Sequence, residues 1–168
     1  MPALAHFGIG LATKRFAPQI PLWALLISAM LIDLLSFIFI SALWISHGLF
    51  MSIIWTIVAM IITAFITMRK NIKNGKDDIN KSISWSMISL NTTMIIGLVV
   101  FSHWVLDLIG WPMSAINPNA TGVPLLFDDA VNIGFGVYRT WIGALSMDLG
   151  VFFVGLGIYI HYIKKIKK

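Results

Sequence analysis

The sequence ISWSMISLNTTMIIGLVVFSHWVLDLIG, residues 83–110, contains no Lys, Arg or Glu and a single Asp, Asp107. A helix needs about 20 mostly apolar residues to cross a bilayer, so this stretch predicts a membrane-spanning helix. It carries His103 and Asp107 four positions apart, a spacing that places both side chains on one helix face. An ionisable residue inside a span costs at least about 2.5 kcal/mol and usually faces a partner or a water-filled cavity. This face is therefore a candidate for a metal, a proton or a buried hydrogen bond.

The composition of the whole chain indicates an integral membrane protein. Its 168 residues are 58% hydrophobic with a mean hydropathy of +0.89, and 11% are charged, against roughly 25% in soluble domains. The net charge of +5 reflects membrane topology rather than nucleic-acid binding, so the lipid bilayer is the predicted partner. The chain has no Cys, which excludes disulfides and thiolate ligands, so any metal site must use His, Asp or backbone oxygen.

The chain contains four apolar stretches long enough to span a membrane, at residues 21–46, 49–68, 83–110 and 139–163. Residues 3–12 are apolar but too short to cross, so they suit an interfacial or re-entrant helix. Residues 69–82 are hydrophilic and contain the turn signal Asn74–Gly75, and residues 111–138 form a second loop. The predicted fold is all-α: a polytopic bundle of four transmembrane helices plus the short N-terminal helix, in one domain covering 1–168.

The positions of the twelve Lys and Arg residues predict the orientation. Two precede the first span, five lie in the 69–82 loop and four end the chain, whereas only Arg139 lies on the other side. Loops rich in Lys and Arg stay cytoplasmic, so both termini are predicted inside a cytoplasmic (inner) membrane. The turn at His47 and the loop 111–138 then face outside, where Asn119 could accept a glycan only in a host that glycosylates. The N-terminus lacks a basic region and a clear cleavage site, so we predict no removable signal peptide.

Four further ionisable residues are candidates for a shared site. Asp33 is an isolated carboxylate deep in the first span, which favours function over a neutral, hydrogen-bonded Asp, and Asp148 is a weaker lead of the same kind. On a regular helix His47 lies about 21 Å from Asp33, so the two can share an ion only if the helix breaks. His6 can join only if the first short segment re-enters the membrane. Otherwise His6 and His47 are interfacial residues.

Five short elements of the sequence together resemble the YdjM-like family of small inner-membrane proteins. They are His-Phe-Gly-Ile-Gly at 6–10, Ile-Asp-Leu at 32–34, Ser-His-Gly at 46–48, Ser-His-Trp-Val-Leu-Asp at 102–107 and Gly-Val-Pro-Leu-Leu at 122–126. Members of that family are described as membrane-bound metal-dependent hydrolases. The resemblance implies that five residues correspond to metal-binding positions: His6, Asp33, His47, His103 and Asp107. The family usually has Asp-x-Asp in the first span, whereas Asp33 stands alone here.

Two functions from different classes follow. In the first, Asp33 and His103 hold a divalent ion such as zinc for hydrolysis of a lipid or another membrane-accessible ester. Asp107 is then a ligand or the partner that orients His103, and Asp148 is a further ligand or a general base. In the alternative, the chain is a non-catalytic accessory subunit of a larger membrane complex, and the polar residues fix helix packing. A proton or ion pathway is a third, weaker option.

Overall fold

The computed structural model describes residues 4–39, 43–73, 79–127 and 131–167. Within these ranges the chain forms seven α-helices, one short β-hairpin and one 3₁₀ turn. The helices are α1 Leu4–Phe16, α2 Leu22–Ala29, α3 Leu31–Ile38, α4 Leu43–His47, α5 Leu49–Lys73, α6 Ile79–Gly110 and α7 Trp141–Ile166; the strands are β1 Val123–Pro124 and β2 Asn132–Ile133, and the 3₁₀ turn is Val137–Arg139.

Among the described residues, three helices are long and apolar enough to cross a membrane. They comprise Leu49–Lys70 of α5, Ser89–Gly110 of α6, and Trp141–Ile166, the whole of α7. These helices match the second, third and fourth predicted spans, and α6 ends at Gly110 as predicted. Only 6% of the most apolar window of α5 is buried, so its apolar side chains face outward, as lipid contact requires. These features fit a membrane protein.

The predicted first span, residues 21–46, is not one continuous helix, so the count of four spans is not confirmed. The chain breaks at Met30, whose backbone (φ −101°, ψ 3°) separates α2 from α3, and α3 ends at Ile38. The Ser28 hydroxyl donates to the carbonyl of Ala24 at 2.7 Å, a contact that often bends helices. Residues 40–42, between α3 and α4, lie outside the described residues. Three short helices therefore replace the predicted long one.

The predicted hydrophilic loop at residues 69–82 is shorter than expected. Helix α5 continues to Lys73, and α6 already begins at Ile79. Residues 74–78, which include the turn signal Asn74–Gly75, lie outside the described residues. The polar ends of both helices thus extend beyond their apolar windows.

Helix α1 packs along α7, and the two helices run in the same direction. Ala5 pairs with Asp148 through a hydrogen bond, and three residues later Gly8 touches the backbone of α7 between Val151 and Gly155. Helix α2 packs against α1 and α6. The N-terminal segment is thus a helix, as predicted, and it packs along a candidate span; whether it is interfacial or re-entrant stays a prediction.

The loop after α6 folds over the ends of α6 and α7 and is called the cap (residues 111–127 and 131–138). Its strands β1 and β2 pair antiparallel, with Val123 opposite Ile133. Its buried side chains form one cluster with residues of α6 and α7: Trp104, Trp111, Met113, Val123, Tyr138 and Ala144. Thr140 then starts α7, because its hydroxyl accepts a hydrogen bond from the N–H of Gly143 at 3.1 Å. The cap covers the end of α6 that carries His103 and Asp107.

Candidate metal centre

Four buried side chains from three helices meet beneath the cap. Asp33 lies on α3, His47 ends α4, and His103 and Asp107 share one face of α6. The Nε2 atom of His47 lies 3.5 Å from Asp33 Oδ1 and 3.6 Å from Asp107 Oδ2. The Nε2 atom of His103 lies 3.5 Å from Asp33 Oδ1 and 3.4 Å from Asp107 Oδ2. Each imidazole thus faces both carboxylates at nearly the same distance.

These four distances fit metal ligands better than hydrogen-bonded partners. Hydrogen bonds between N–H and O span about 2.7–3.2 Å, which is shorter than every one of the four. Ligands placed about 2.1 Å from a tetrahedrally coordinated ion are about 3.4 Å apart, and the four imidazole–carboxylate separations are close to this value. In addition, four buried atoms of the cluster have no hydrogen-bond partner: His47 Nε2, His103 Nε2, Asp33 Oδ2 and Asp107 Oδ2. The residues therefore fit a metal ion.

The opposite ring nitrogens of both histidines have fixed partners. His103 Nδ1 lies 2.8 Å from the carbonyl oxygen of Ala29, and His47 Nδ1 lies 2.8 Å from the Ser46 hydroxyl. Ala29 ends α2, where terminal carbonyls lack intrahelical partners. A histidine that donates from Nδ1 presents the lone pair of Nε2, as metal-ligating histidines do. The break after Ala29 thus orients His103.

His6 reaches the cluster from α1 and contacts its far side. Its Nε2 lies 3.7 Å from Asp107 Oδ1, the carboxylate oxygen that does not face the other two histidines. Its ring stacks on His103 with centroids 3.7 Å apart. Ligand atoms lie within 4.8 Å of one another in two overlapping buried groups, one of His6, Asp33 and His103 and the other of His47, His103 and Asp107. The cluster can hold a metal ion, and all five residues implied by the resemblance lie in it.

The charge of the cluster also favours a divalent cation. Asp33 and Asp107 carry two negative charges when ionised, and neutral imidazoles do not cancel them. A buried charge without compensation is costly in a low-dielectric interior. One divalent ion would make the site neutral.

Among the described residues, Asp148 belongs to neither of the two ligand groups. Its Oδ1 accepts a 2.8 Å hydrogen bond from the backbone N–H of Ala5, at the start of α1. Asp33 and His103 converge, as the sequence suggested, whereas the carboxylate of Asp148 is engaged by backbone.

Tyr138 is a residue of the cap that sequence reasoning missed. Its side chain is 1% exposed, its hydroxyl has no hydrogen-bond partner, and its ring lies against Gly110 at the end of α6. Burial, together with the nearby charges of Asp148 and Asp107, raises the pKa of Tyr138 above its usual range. The hydroxyl therefore stays protonated. No pattern in the loop sequence distinguishes this tyrosine.

No protein family, curated protein or solved structure matches the chain. The likeness to the YdjM-like family stays a prediction, and the candidate site rests on its own geometry.

Proposed function

We propose that the protein is a membrane-embedded, metal-dependent hydrolase of a lipid or another membrane-accessible ester. The observation that carries this proposal is the set of four distances, 3.4 to 3.6 Å, between two imidazoles and two carboxylates. The resemblance to the YdjM-like family supports the same reaction class by analogy.

Each residue of the cluster has a role in this proposal. His47, His103, Asp33 and Asp107 would hold the ion, and His6 would add a further nitrogen beside Asp107. A divalent ion in such a site supplies Lewis acidity and lowers the pKa of a water molecule. The unpartnered Asp33 Oδ2 is placed to accept the proton of the attacking water. The water oxygen bonds to the ester carbonyl carbon and the bond from that carbon to the alkoxy oxygen breaks. The proton held by Asp33 passes to the alkoxy oxygen, so that an alcohol and a carboxylic acid are released.

Tyr138 is the candidate donor to the ester. Its buried hydroxyl has no partner and stays protonated, so it can donate a hydrogen bond to the carbonyl oxygen as negative charge develops there.

An apolar groove supports a lipid as the substrate. The groove has a volume of about 240 Å³ and lies between α1 and α6. It is lined by Ile9, Thr13, Phe16, Ile95, Leu98 and Val99. Ile9 follows His6 by three positions and Val99 precedes His103 by four, so one end of the groove lies about one helical turn from the cluster. An acyl chain in this groove would bring its ester toward the histidines.

The placement of basic residues supports a cytoplasmic side for one end of the bundle. Because α1 and α7 run in the same direction, Lys14 and Arg15 near the end of α1 lie toward the same side as Lys164 and Lys165 near the end of α7. Positive charge of this kind is typical of the cytoplasmic side. We therefore place the C-terminus and the end of α1 in the cytoplasm and the cap outside a cytoplasmic (inner) membrane. Because the start of α1 lies beside Asp148, toward the cap, this packing supports only the C-terminal part of the prediction that both termini are inside, and labelling of the N-terminus tests the other part.

Metal content of the detergent-purified protein tests the site. We expect about one equivalent of a divalent metal per chain by mass spectrometry, and its loss in His103→Ala. His161→Ala is the matched control, because His161 is exposed near the end of α7. A wild-type protein without metal, even after incubation with zinc, would overturn the metal centre.

Hydrolysis is tested with the metal-loaded protein in phospholipid vesicles that contain a fluorogenic lipid ester. We expect fatty-acid release from wild type and His161→Ala, and a loss of at least about 100-fold in His103→Ala. If metal is bound and no ester in a panel of acyl and head groups is cleaved, the hydrolase proposal is wrong. The alternative, an accessory subunit of a membrane complex, then takes its place.

A further inference from the structure

Asp148 is a buried carboxylate whose position the proposed chemistry does not use. Its Oδ1 accepts the backbone N–H of Ala5 at 2.8 Å. Ala5 lies in the first turn of α1, where the backbone N–H groups have no intrahelical partners. A carboxylate at this end of a helix also interacts favourably with the helix dipole. Asp148 therefore holds the start of α1, one residue before His6.

A contact between two glycines fixes where α1 sits along α7. A Cβ atom at Gly155 would overlap the carbonyl oxygen of Gly8, so the two helix backbones touch directly. Gly150 and Gly157 lie on the same helix, yet a Cβ atom at either would meet nothing within 4 Å. The close approach is thus specific to one point. Together with the bond from Asp148, it sets the position of α1.

His6 depends on this docking more than the other histidines of the cluster. His103 and His47 each have an Nδ1 partner, whereas both ring nitrogens of His6 are buried without a hydrogen bond. Among the described residues, the ring of His6 stacks on His103 and faces Asp107 at 3.7 Å, and its position otherwise follows that of its own helix. Whatever moves the start of α1 therefore moves His6 relative to Asp107.

We propose that Asp148 is a positioning residue for the metal centre: it acts through His6 as a hydrogen-bond acceptor for α1, and it is neither a metal ligand nor a general base. This inference rests on the proposed metal site and replaces the role suggested for Asp148 by the sequence. The required chemistry is only that of an acceptor oxygen, which an amide also provides.

Zinc affinity, measured by competition with a chromophoric chelator, tests the proposal. We expect Asp148→Ala to weaken zinc binding about 10-fold, the scale typical of residues that orient ligands. Asp148→Asn keeps an acceptor oxygen and should bind zinc within about threefold of wild type. On a His6→Ala background, Asp148→Ala should cause no further loss, because its effect passes through His6.

Three results would overturn the proposal. If Asp148→Asn bound zinc as weakly as Asp148→Ala, the carboxylate itself would be required, as a ligand or a base. Losses that add in the double variant would mean that Asp148 acts independently of His6. Unchanged zinc affinity in Asp148→Ala would remove the role altogether.

Hydrogen exchange on the metal-free protein separates this proposal from the metal centre. We expect faster amide exchange in the peptide that covers α1 for Asp148→Ala and Gly155→Ala, and unchanged exchange for Asp148→Asn and the matched control Gly150→Ala. If α1 exchanges equally in all variants, Asp148 does not hold the helix, whether or not zinc binds. If the wild-type protein binds no zinc, both the metal centre and the positioning role of Asp148 are wrong. Hydrogen exchange would still show whether Asp148 holds α1 in place.

Discussion

Residues 22–47 and helix α5 (Leu49–Lys73) are neighbours of similar composition with different structures. Both are strongly apolar, and neither contains Gly or Pro. Helix α5 is continuous and turns its side chains outward, whereas the described part of residues 22–47 contains three short helices that bury Asp33 and His47. Irregular backbone inside a membrane is tolerated where it is buried in protein. Hydropathy alone thus does not distinguish a continuous apolar helix from an apolar segment that breaks and buries polar side chains.

The largest expected difference between the two regions concerns metal affinity. Asp33→Asn should weaken zinc binding at least about 100-fold, about 2.7 kcal/mol, because it removes a ligand charge from the broken segment. Thr63→Val is the control in α5, where the hydroxyl only donates to the carbonyl of Ala59, and it should bind zinc like wild type. Chelator competition measures both. Equal affinities for Asp33→Asn and wild type would contradict the ligand role of Asp33.

Stability should differ next. Ile32 is 0% exposed and Ile61 is 62% exposed, so the same truncation acts on a packed side chain in one region and a lipid-facing one in the other. Ile32→Ala should lower the free energy of unfolding by about 2–5 kcal/mol, and Ile61→Ala by less than about 0.5 kcal/mol. Titration with a denaturing detergent in mixed micelles gives both values. Similar losses would mean that the two segments are packed alike.

A smaller effect is expected at Ser46, which supports His47. Ser46→Ala should weaken zinc binding about 10-fold, because its hydroxyl is the partner of His47 Nδ1. Ser28→Ala is the matched control: Ser28 is also buried in the broken segment, but it donates to Ala24 and not to a histidine. The same chelator competition measures both variants. If both bound zinc more weakly than wild type, the cause would be a general loosening of the segment.

The smallest effect concerns the link between the two regions. Trp55 of α5 donates from its indole nitrogen to the carbonyl of Ile45 in α4 at 2.8 Å. Trp55→Phe should therefore cost about 1 kcal/mol of unfolding free energy, the usual worth of one hydrogen bond. Trp23→Phe, at an exposed site, should leave stability unchanged. If Trp55→Phe left the free energy of unfolding unchanged, α4 would be held by its other contacts.

The long helices and part of the cluster could be predicted from the sequence. Uninterrupted apolar runs with charged ends are typical of α5, α6 and α7. The spacing of His103 and Asp107 placed them on one face of α6, and Asp33 stood out because an isolated carboxylate in a span needs a partner. These predictions depend on local sequence, which is why they could be made.

The break in residues 22–47 could not be predicted, because no Gly or Pro marks it. A regular helix puts His47 about 21 Å from Asp33, whereas the structure has their side chains 3.5 Å apart. His6 likewise joins through the packing of α1 on α7, and Tyr138 through the folding of the cap. Each depends on contacts between residues far apart in the chain, which periodicity does not report.

The bond between Ala5 and Asp148 joins residues 143 positions apart and has a consequence for biosynthesis. At about 5–20 residues per second, Ala5 is synthesised roughly 7–30 s before Asp148. During that interval His6 has no α7 to dock against, and contacts of such long range form late in folding. Helix α1 is therefore made before α7 and reaches its final position, with His6 in the cluster, only once α7 is present.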